Sequence, residues 1–229
     1  MAIDSQHPFD AAFGGKSLDD IVSILRGYVE KGSRLFPDTV QQVYEQGGPA
    51  GEEITFMSTG GSEGYSRETL INLNTSARVL LTEYLRADPL NIQHSGRLLS
   101  LFAFGDWISA DRGDLLRVIS RVRDEKYTDE KYQQRPIRIP LINCLMESQD
   151  GCTDLEKQTL EGFWMNLFND PEYFSLGYLG MIRLEERKAP ELYPALRQKN
   201  GGEAPYNVDS WLYFEGIAKR QGMTLDYKF

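Results

Sequence analysis

Apolar residues recur at the spacing of an α-helix along most of this 229-residue chain. Residues three or four positions apart lie on the same side of a helix, so this spacing predicts amphipathic helices whose apolar sides meet in a core. Capping boxes, Ser17 with Asp20 and Thr153 with Glu156, mark the beginnings of two helices. The proline at Asp88–Pro89 marks an end, because proline cannot donate to the helical ladder. The sequence therefore predicts an all-α protein.

The apolar stripes predict where the helices lie. The first predicted helix carries Leu18, Ile21, Val22, Leu25, Tyr28 and Val29. The second, capped by Ser66, carries Leu70, Leu73, Ala77, Leu80, Leu81 and Tyr84. Residues 92–110 are apolar nearly all round, which predicts a helix enclosed by others at the centre of the fold. Shorter helices are predicted at 115–122, from Pro140 to Met146, from Thr153 to Phe168, from Pro171 to Ile182 behind the cap Asp170, at 189–196 and at 209–221.

These helices predict a single domain over residues 1–229, either a helical bundle or an irregular array of helical hairpins. The glycine-rich segment 47–66 interrupts the helical pattern and contains a short β-like run at 54–57. We expect a mobile loop there or a β-hairpin near 52–58. A sub-boundary, if the chain has one, is expected in the same segment.

Charge and composition exclude several classes of function. The chain has 34 acidic against 25 basic residues, a net charge of −9, and phosphate contacts need Lys and Arg, so nucleic acid is not the expected ligand. It shows neither a signal-peptide pattern nor 18 consecutive apolar residues, so we expect a cytoplasmic protein without membrane contact. The two cysteines and two histidines show no zinc-ligand spacing, so no metal, cofactor or small-molecule ligand is expected.

Acidic residues concentrate between Cys144 and Glu172, where seven carboxylates stand against one base, Lys157. A surface of this kind attracts cationic proteins. The alternative is an ordinary solvated surface. The predicted partner-binding residues are Glu147, Asp150, Asp154, Glu161, Asp170 and Glu172, together with Asp106, Asp111 and Asp114. Three aromatic residues of the same region, Phe163, Trp164 and Phe168, fit either the centre of such an interface or a core stripe, and the core is favoured.

Signals for catalysis are sparse. Gly14 to Ser17 looks like the end of a phosphate-binding loop, but Asp10 stands where the first glycine is required and no strand precedes it, so a capped helix is favoured. Asp154 and Glu161 share a helix side and could work as an acid–base pair, although solvent would keep both ionised. Cys144, flanked by apolar residues, is expected in the core.

Two stretches resemble a family of all-helical immunity proteins that protect bacteria from DNase toxins delivered by interbacterial secretion systems, including type VI. One is the run WLYFEGIAKRQGM, beginning at Trp211, which is similar to the closing helix of that family. The other is LLSLFAFGDWISADRGDLLRVI, beginning at Leu98, which is similar to its leucine-rich helix and acidic turn. The resemblance implies a compact, acidic, non-catalytic protein that binds a basic toxin encoded nearby and blocks its activity.

The resemblance and the acidic segment together predict an immunity or inhibitor protein. One alternative is a helical adaptor that bridges the members of a complex through apolar grooves. A more distant alternative is an enzyme that uses a carboxylate pair.

Overall fold

A computed structural model describes residues 8–33, 67–102, 108–129 and 133–202. These residues are mostly helical and include one short two-stranded antiparallel sheet, which confirms the all-α class. The chain divides into two compact units, Met1–Ser148 and Gln149–Phe229, described separately below as unit 1 and unit 2. The single domain stays a prediction. The predicted hairpin near 52–58, the sub-boundary at 47–66 and the helix at 209–221 lie outside the described residues.

The elements follow one another along the chain with short connections. In unit 1 they are α1 Pro8–Phe13, α2 Leu18–Lys31, α3 Arg67–Arg86, α4 Ile92–Ser100, α5 Arg112–Ile119, β1 Lys126–Thr128, β2 Gln134–Pro136 and α6 Arg138–Glu147. In unit 2 they are α7 Asp154–Asn169, α8 Phe174–Leu184, a 3₁₀ turn at Glu186–Lys188 and α9 Ala189–Lys199.

The predicted cap of α2 is confirmed. The Ser17 hydroxyl oxygen accepts from the Asp20 backbone N–H at 3.2 Å and satisfies one of the donors left open at a helix start. Ile21, Leu25 and Val29 are buried as the stripe predicts. Leu18 differs from the prediction, because its side chain is 43% exposed. It is the first residue of the helix, where one side of the chain has no preceding turn to cover it.

Helix α3 packs against α2, and polar contacts join the two along their length. The guanidinium of Arg26 donates to both carboxylate oxygens of Glu83, at 2.7 and 2.8 Å. The Ser76 hydroxyl donates to the carbonyl of Leu18 at 3.2 Å. The predicted end is confirmed, since α3 stops at Arg86, before Asp88–Pro89.

The predicted long helix over 92–110 is wrong in its extent. Helix α4 ends at Ser100, where the N–H groups of Leu101 and Phe102 donate three residues back and tighten the last turn. Residues 108–110 are not helical, and 103–107 lie outside the described residues. The apolar character was informative in another way, since Leu101, Phe102 and Ile108 are all buried. An apolar run shows burial without fixing the type of element.

A short hairpin in unit 1 has no counterpart in the sequence predictions. Strands β1 and β2 pair antiparallel with Tyr127 opposite Arg135. Helix α4 holds this hairpin through Gln93, whose amide donates to the Lys126 carbonyl and accepts from the Thr128 N–H, both at 2.9 Å. The Tyr127 ring lies directly over Gly96 of α4, where a Cβ atom would come within 2.2 Å of the ring.

Two further stripes of unit 1 are confirmed. All four residues predicted for 115–122, Leu115, Val118, Ile119 and Val122, are buried, although Val122 follows the end of α5. Helix α6 begins at Arg138, two residues before the proline that was expected to open it.

Unit 2 is built on a close pair of helices, α7 and α8. The Thr153–Glu156 capping box is confirmed at the start of α7, and Trp164 on its inner side is fully buried. Gly180 of α8 allows this packing, because a Cβ there would lie 2.2 Å from a carbon of the Trp164 ring. Gly177 does the same against the backbone of Phe168.

The predicted start of α8 at Pro171 is wrong. Helix α8 begins at Phe174, and Asp170 ends α7 instead of capping the next helix. The Asp170 carboxylate accepts from the Glu172 N–H at 2.8 Å, which stabilises a turn rather than a helix start. Helix α9 lies where the sequence places it and closes the core of unit 2. That core contains Phe168, Tyr178, Ile182, Tyr193 and Leu196.

Candidate functional site

The first turns of α7 present an outward side that joins apolar and acidic residues. The Leu155 side chain is 74% exposed, the highest value among the exposed large apolar side chains of the described residues. It stands between Asp154, which is exposed, and Glu156, whose carboxylate accepts from the Thr153 N–H at 2.8 Å. Gln158, Thr159 and Gly162 continue the exposed side. We call the exposed set Asp154, Leu155, Gln158, Thr159 and Gly162 the α7 surface.

Local chemistry explains why the sequence builds this turn. The capping box satisfies backbone donors at the start of α7, and carboxylates in a first turn interact favourably with the positive end of the helix dipole. Neither effect accounts for Leu155. Its position lies off the stripe of Leu160, Trp164 and Leu167, so the helix gains nothing from an apolar residue there.

Other predicted partner-binding residues of unit 2 have different surroundings. Asp150 and Glu172 are exposed, and Asp170 is half-buried in the turn after α7. Glu161 accepts a short hydrogen bond from the ammonium group of Lys188. This contact with Glu161 raises the pKa of Lys188 above its ordinary value. Glu161 therefore joins α7 to the 3₁₀ turn.

In unit 1, Asp111 and Asp114 stabilise the fold. Asp111 caps α5 by accepting from the Asp114 N–H at 2.9 Å. The Asp114 side chain is only 15% exposed and accepts from Arg86 Nε at 2.5 Å, with Arg117 at 3.6 Å on its other oxygen. Glu147 is half-buried on α6. Asp106 lies outside the described residues.

The nine predicted residues thus belong to both units and do not have one common role. Asp114 and Glu161 form ion pairs within their own units, and Asp111 and Asp170 stabilise a cap and a turn. Their use in binding a partner stays a prediction. Leu155 was missed by the sequence reasoning, although its apolar side chain beside a capping box and off the helical stripe was a signal that could have identified it.

The aromatic residues near this surface belong mainly to the core, as the sequence favoured. Trp164 and Phe168 are buried, and Phe163 is half-buried with its ring edge-on to Trp164 at a centroid distance of 4.9 Å. The Trp164 indole N–H donates to Gln149 Oε1 at 3.0 Å. A surface over this core is held in place by packing from below.

Residues weighed for chemistry are used structurally where the structure describes them. Cys144 is buried, its thiol donates to the Ile108 carbonyl at 3.0 Å, and burial raises its pKa, so the reactive thiolate is disfavoured. Of the carboxylates considered as acids or bases, Asp154 is exposed and Glu161 is paired with Lys188. Ser17 caps α2, as favoured over phosphate binding.

Within the described ranges, groups of three or more His, Cys, Asp or Glu side chains placed to hold a metal ion are absent. In the same part of the chain, none of the helices has the length and apolarity needed to cross a membrane. Comparison of the chain with protein-family models, with curated proteins and with solved structures found no match.

Proposed function

We propose that this chain is an inhibitory binding protein of the immunity type, which neutralises a basic toxin domain, with a nuclease as the expected kind. The α7 surface is the proposed contact. The observation that carries the proposal is Leu155, which is exposed in a first helical turn between two carboxylates without serving the fold. An apolar anchor within an acidic surface suits a partner that is cationic around an apolar pocket.

The two kinds of residue would act at different stages of binding. Long-range attraction between carboxylates and a basic partner raises the association rate, and salt screens it. An apolar side chain that fills a pocket acts only after contact and lowers the dissociation rate. The segment from Asp150 to Glu172 has six carboxylates against Lys157, which gives it the charge for the first stage. Leu155 supplies the anchor for the second.

The α7 surface also suits close approach by another protein. Gly162 has open space where a Cβ would project, so the partner can reach the helix backbone there. Below it, the Trp164 core and the capping box hold α7 before binding, which reduces the ordering cost of association. A surface that is already rigid binds more tightly for the same buried area.

The test is coexpression with the toxin domain encoded beside this chain, followed by measurement of its binding kinetics. We expect wild-type protein to rescue growth, and the association rate to fall at least tenfold between about 50 and 500 mM salt. Asp154→Lys with Glu172→Lys should slow association, whereas Asp19→Lys with Asp124→Lys, the same charge change at exposed sites of unit 1, should not. An adaptor that binds through apolar grooves would show little salt dependence.

The anchor is tested separately with Leu155→Ala. We expect it to raise the dissociation rate about thirtyfold, equivalent to about 2 kcal/mol, while the association rate stays near wild type. Ile71→Ala, which truncates an exposed aliphatic residue of α3, is the matched control and should leave both rates unchanged. Full rescue and wild-type kinetics for Leu155→Ala and for the double lysine variant would refute the α7 surface as the contact.

A further inference from the structure

Exposed apolar side chains are concentrated on α2 and α3. Of the four large apolar side chains that the described residues expose, Leu18, Ile71 and Val79 belong to these two helices. Ile71 and Val79 are each 52% exposed on the outer side of α3, with half-buried Thr75 between them. Leu18 lies beside the middle of α3, where its carbonyl accepts from Ser76.

The outer residues of α3 form a regular line. Ile71, Thr75, Val79 and Thr82 follow one another at intervals of four, four and three residues, which keeps them on one side of a helix over about three turns. We call these four residues the α3 ridge. All four are β-branched, a type that favours helix formation less than Ala, Glu or Lys at a solvent-facing position. Such side chains have little rotamer freedom in a helix, so they lose little entropy when a partner covers them.

Charges at the two ends of α3 indicate what covers the ridge. Glu68 in the first turn and Arg86 in the last are both exposed. They are 18 residues apart, about five full turns, so both project from the same line of the helix as the ridge between them. The Arg86 guanidinium is held through its Nε by Asp114 and remains 60% exposed. One end of the line is therefore negative and the other positive.

We infer that the α3 ridge binds a second copy of this chain, with the two α3 helices antiparallel about a two-fold axis near residue 77. This arrangement sets Thr75 against Val79 of the partner copy and Ile71 near the partner's Thr82. At both ends it sets Glu68 against the partner's Arg86, about 13 Å from the axis. A parallel pair would instead oppose Glu68 with Glu68 and Arg86 with Arg86. The self-complementary pattern is the one that a two-fold interface requires.

The size of the surface sets the expected strength. Helix α3 is about 30 Å long, and a single helix side with the Leu18 flank buries less than the roughly 800 Å² per partner of a standard interface. The dimer is therefore weak, with a dissociation constant in the micromolar range or above. This inference does not depend on the proposed toxin-binding function, since the α7 surface is not part of the interface.

The test is sedimentation equilibrium of the full chain from about 10 μM to 1 mM. We expect the average mass to rise from one copy toward two copies over this range. Ile71→Glu and Val79→Glu should each raise the dissociation constant at least tenfold, because they place a carboxylate in the seam. Leu155→Glu, which makes the same change at the most exposed apolar site outside α3, should associate as wild type. All these positions are exposed, and far-ultraviolet circular dichroism checks that the helices persist.

Charge exchange tests the antiparallel orientation. Glu68→Arg should weaken association at least fivefold by opposing two arginines, and the Glu68→Arg, Arg86→Glu double variant should restore it to within about twofold of Arg86→Ala or better. A protein that stays monomeric at 1 mM overturns the inference and leaves the ridge to another occupant. Association unaffected by Ile71→Glu and Val79→Glu also overturns it. A double variant that is no tighter than Glu68→Arg alone overturns the antiparallel pairing.

Discussion

The two units are stabilised by different kinds of contact. Unit 1 ties its helices together with polar side chains distant in sequence, as in the pairs of Arg26 with Glu83 and Arg86 with Asp114. In unit 2, α7 and α8 meet through close apolar packing at Gly180 against the ring of Trp164. In unit 1 the paired carboxylates serve the fold, whereas the start of α7 has Asp154 in solvent. An acidic residue is thus informative about binding only when its structural use is known.

The largest expected effect tests the close packing of unit 2. Gly180→Ala places a methyl group where the Trp164 ring lies, 2.2 Å from one of its carbons, so the helices must separate or the ring must move. We expect a loss of about 3 kcal/mol in the free energy of unfolding of unit 2, measured by urea denaturation followed by circular dichroism.

Gly162→Ala is the control for that change. Gly162 is in the same unit, on α7, with open space around it, so the added methyl group should increase stability by about 0.5–1 kcal/mol through helix propensity. Equal effects of the two substitutions would contradict close packing as the stabilising contact of unit 2.

The next effect tests the polar ties of unit 1. Asp114→Asn removes the charge that faces Arg86 and Arg117 at a site only 15% exposed, and we expect a loss of about 1–2 kcal/mol. Asp154→Asn is the matched change at an exposed site and should lose only a helix-dipole interaction of about 0.3–0.5 kcal/mol. Thermal unfolding of both variants, compared in one buffer, measures the difference. A larger loss for Asp154→Asn would reverse the roles assigned to these carboxylates.

A smaller effect, of opposite sign, is expected at the hairpin of unit 1. The Tyr127 hydroxyl is buried, and the structure shows no hydrogen-bond partner for it. Tyr127→Phe should therefore increase stability by about 1 kcal/mol at pH 7. Burial and the nearby carboxylate of Asp129 raise the pKa of Tyr127 to about 12. Because its unfolded pKa is near 10, the wild type loses stability as pH rises from about 10 to 12, and this contribution is absent in the variant.

Urea denaturation at pH 7 and pH 11 distinguishes the two contributions. The advantage of Tyr127→Phe over wild type should be larger at pH 11 than at pH 7. An equal or smaller advantage at pH 11 would show that the hydroxyl is not as buried as the packing against Gly96 indicates.

The smallest effect concerns the tie between α2 and α3. The hydrogen bonds from Arg26 lower the pKa of Glu83, so this pair stabilises the fold above the unfolded pKa of Glu83 and the contribution disappears as pH falls through the lower folded value. Glu83→Gln should cost about 0.5 kcal/mol at pH 7, since exposed pairs contribute little. The difference from wild type should vanish below about pH 4. A difference that persists there would assign the effect to packing rather than charge.

Local signals in the sequence were sufficient for much of the fold. The caps at Ser17 and Thr153 act through hydrogen bonds within three residues, so the residue types reveal them. The stripe of α5 was predicted because its burial follows helical spacing. At Asp170 the local signal was ambiguous, because an aspartate before proline can cap a helix or close a turn, and here it closes a turn.

Features that depend on distant residues were not predictable. The three-residue strands β1 and β2 are too short to show an alternating pattern, and α4 holds them through Gln93. The use of Glu161 in an ion pair depends on Lys188, 27 residues later in the chain. For the candidate site, the sequence predicted an acidic region but not which carboxylates serve the fold, and it did not identify Leu155.

The position of Gln149 gives unit 2 a built-in reporter. Its side chain accepts from the Trp164 indole and donates to the Gly180 carbonyl at 3.4 Å, so it bridges α7 and α8 in the buried core. The indole hydrogen of Trp164 is thereby shielded from solvent. In heavy water it should exchange for deuterium only when these helices part, so its lifetime in a nuclear magnetic resonance spectrum would record how often unit 2 opens.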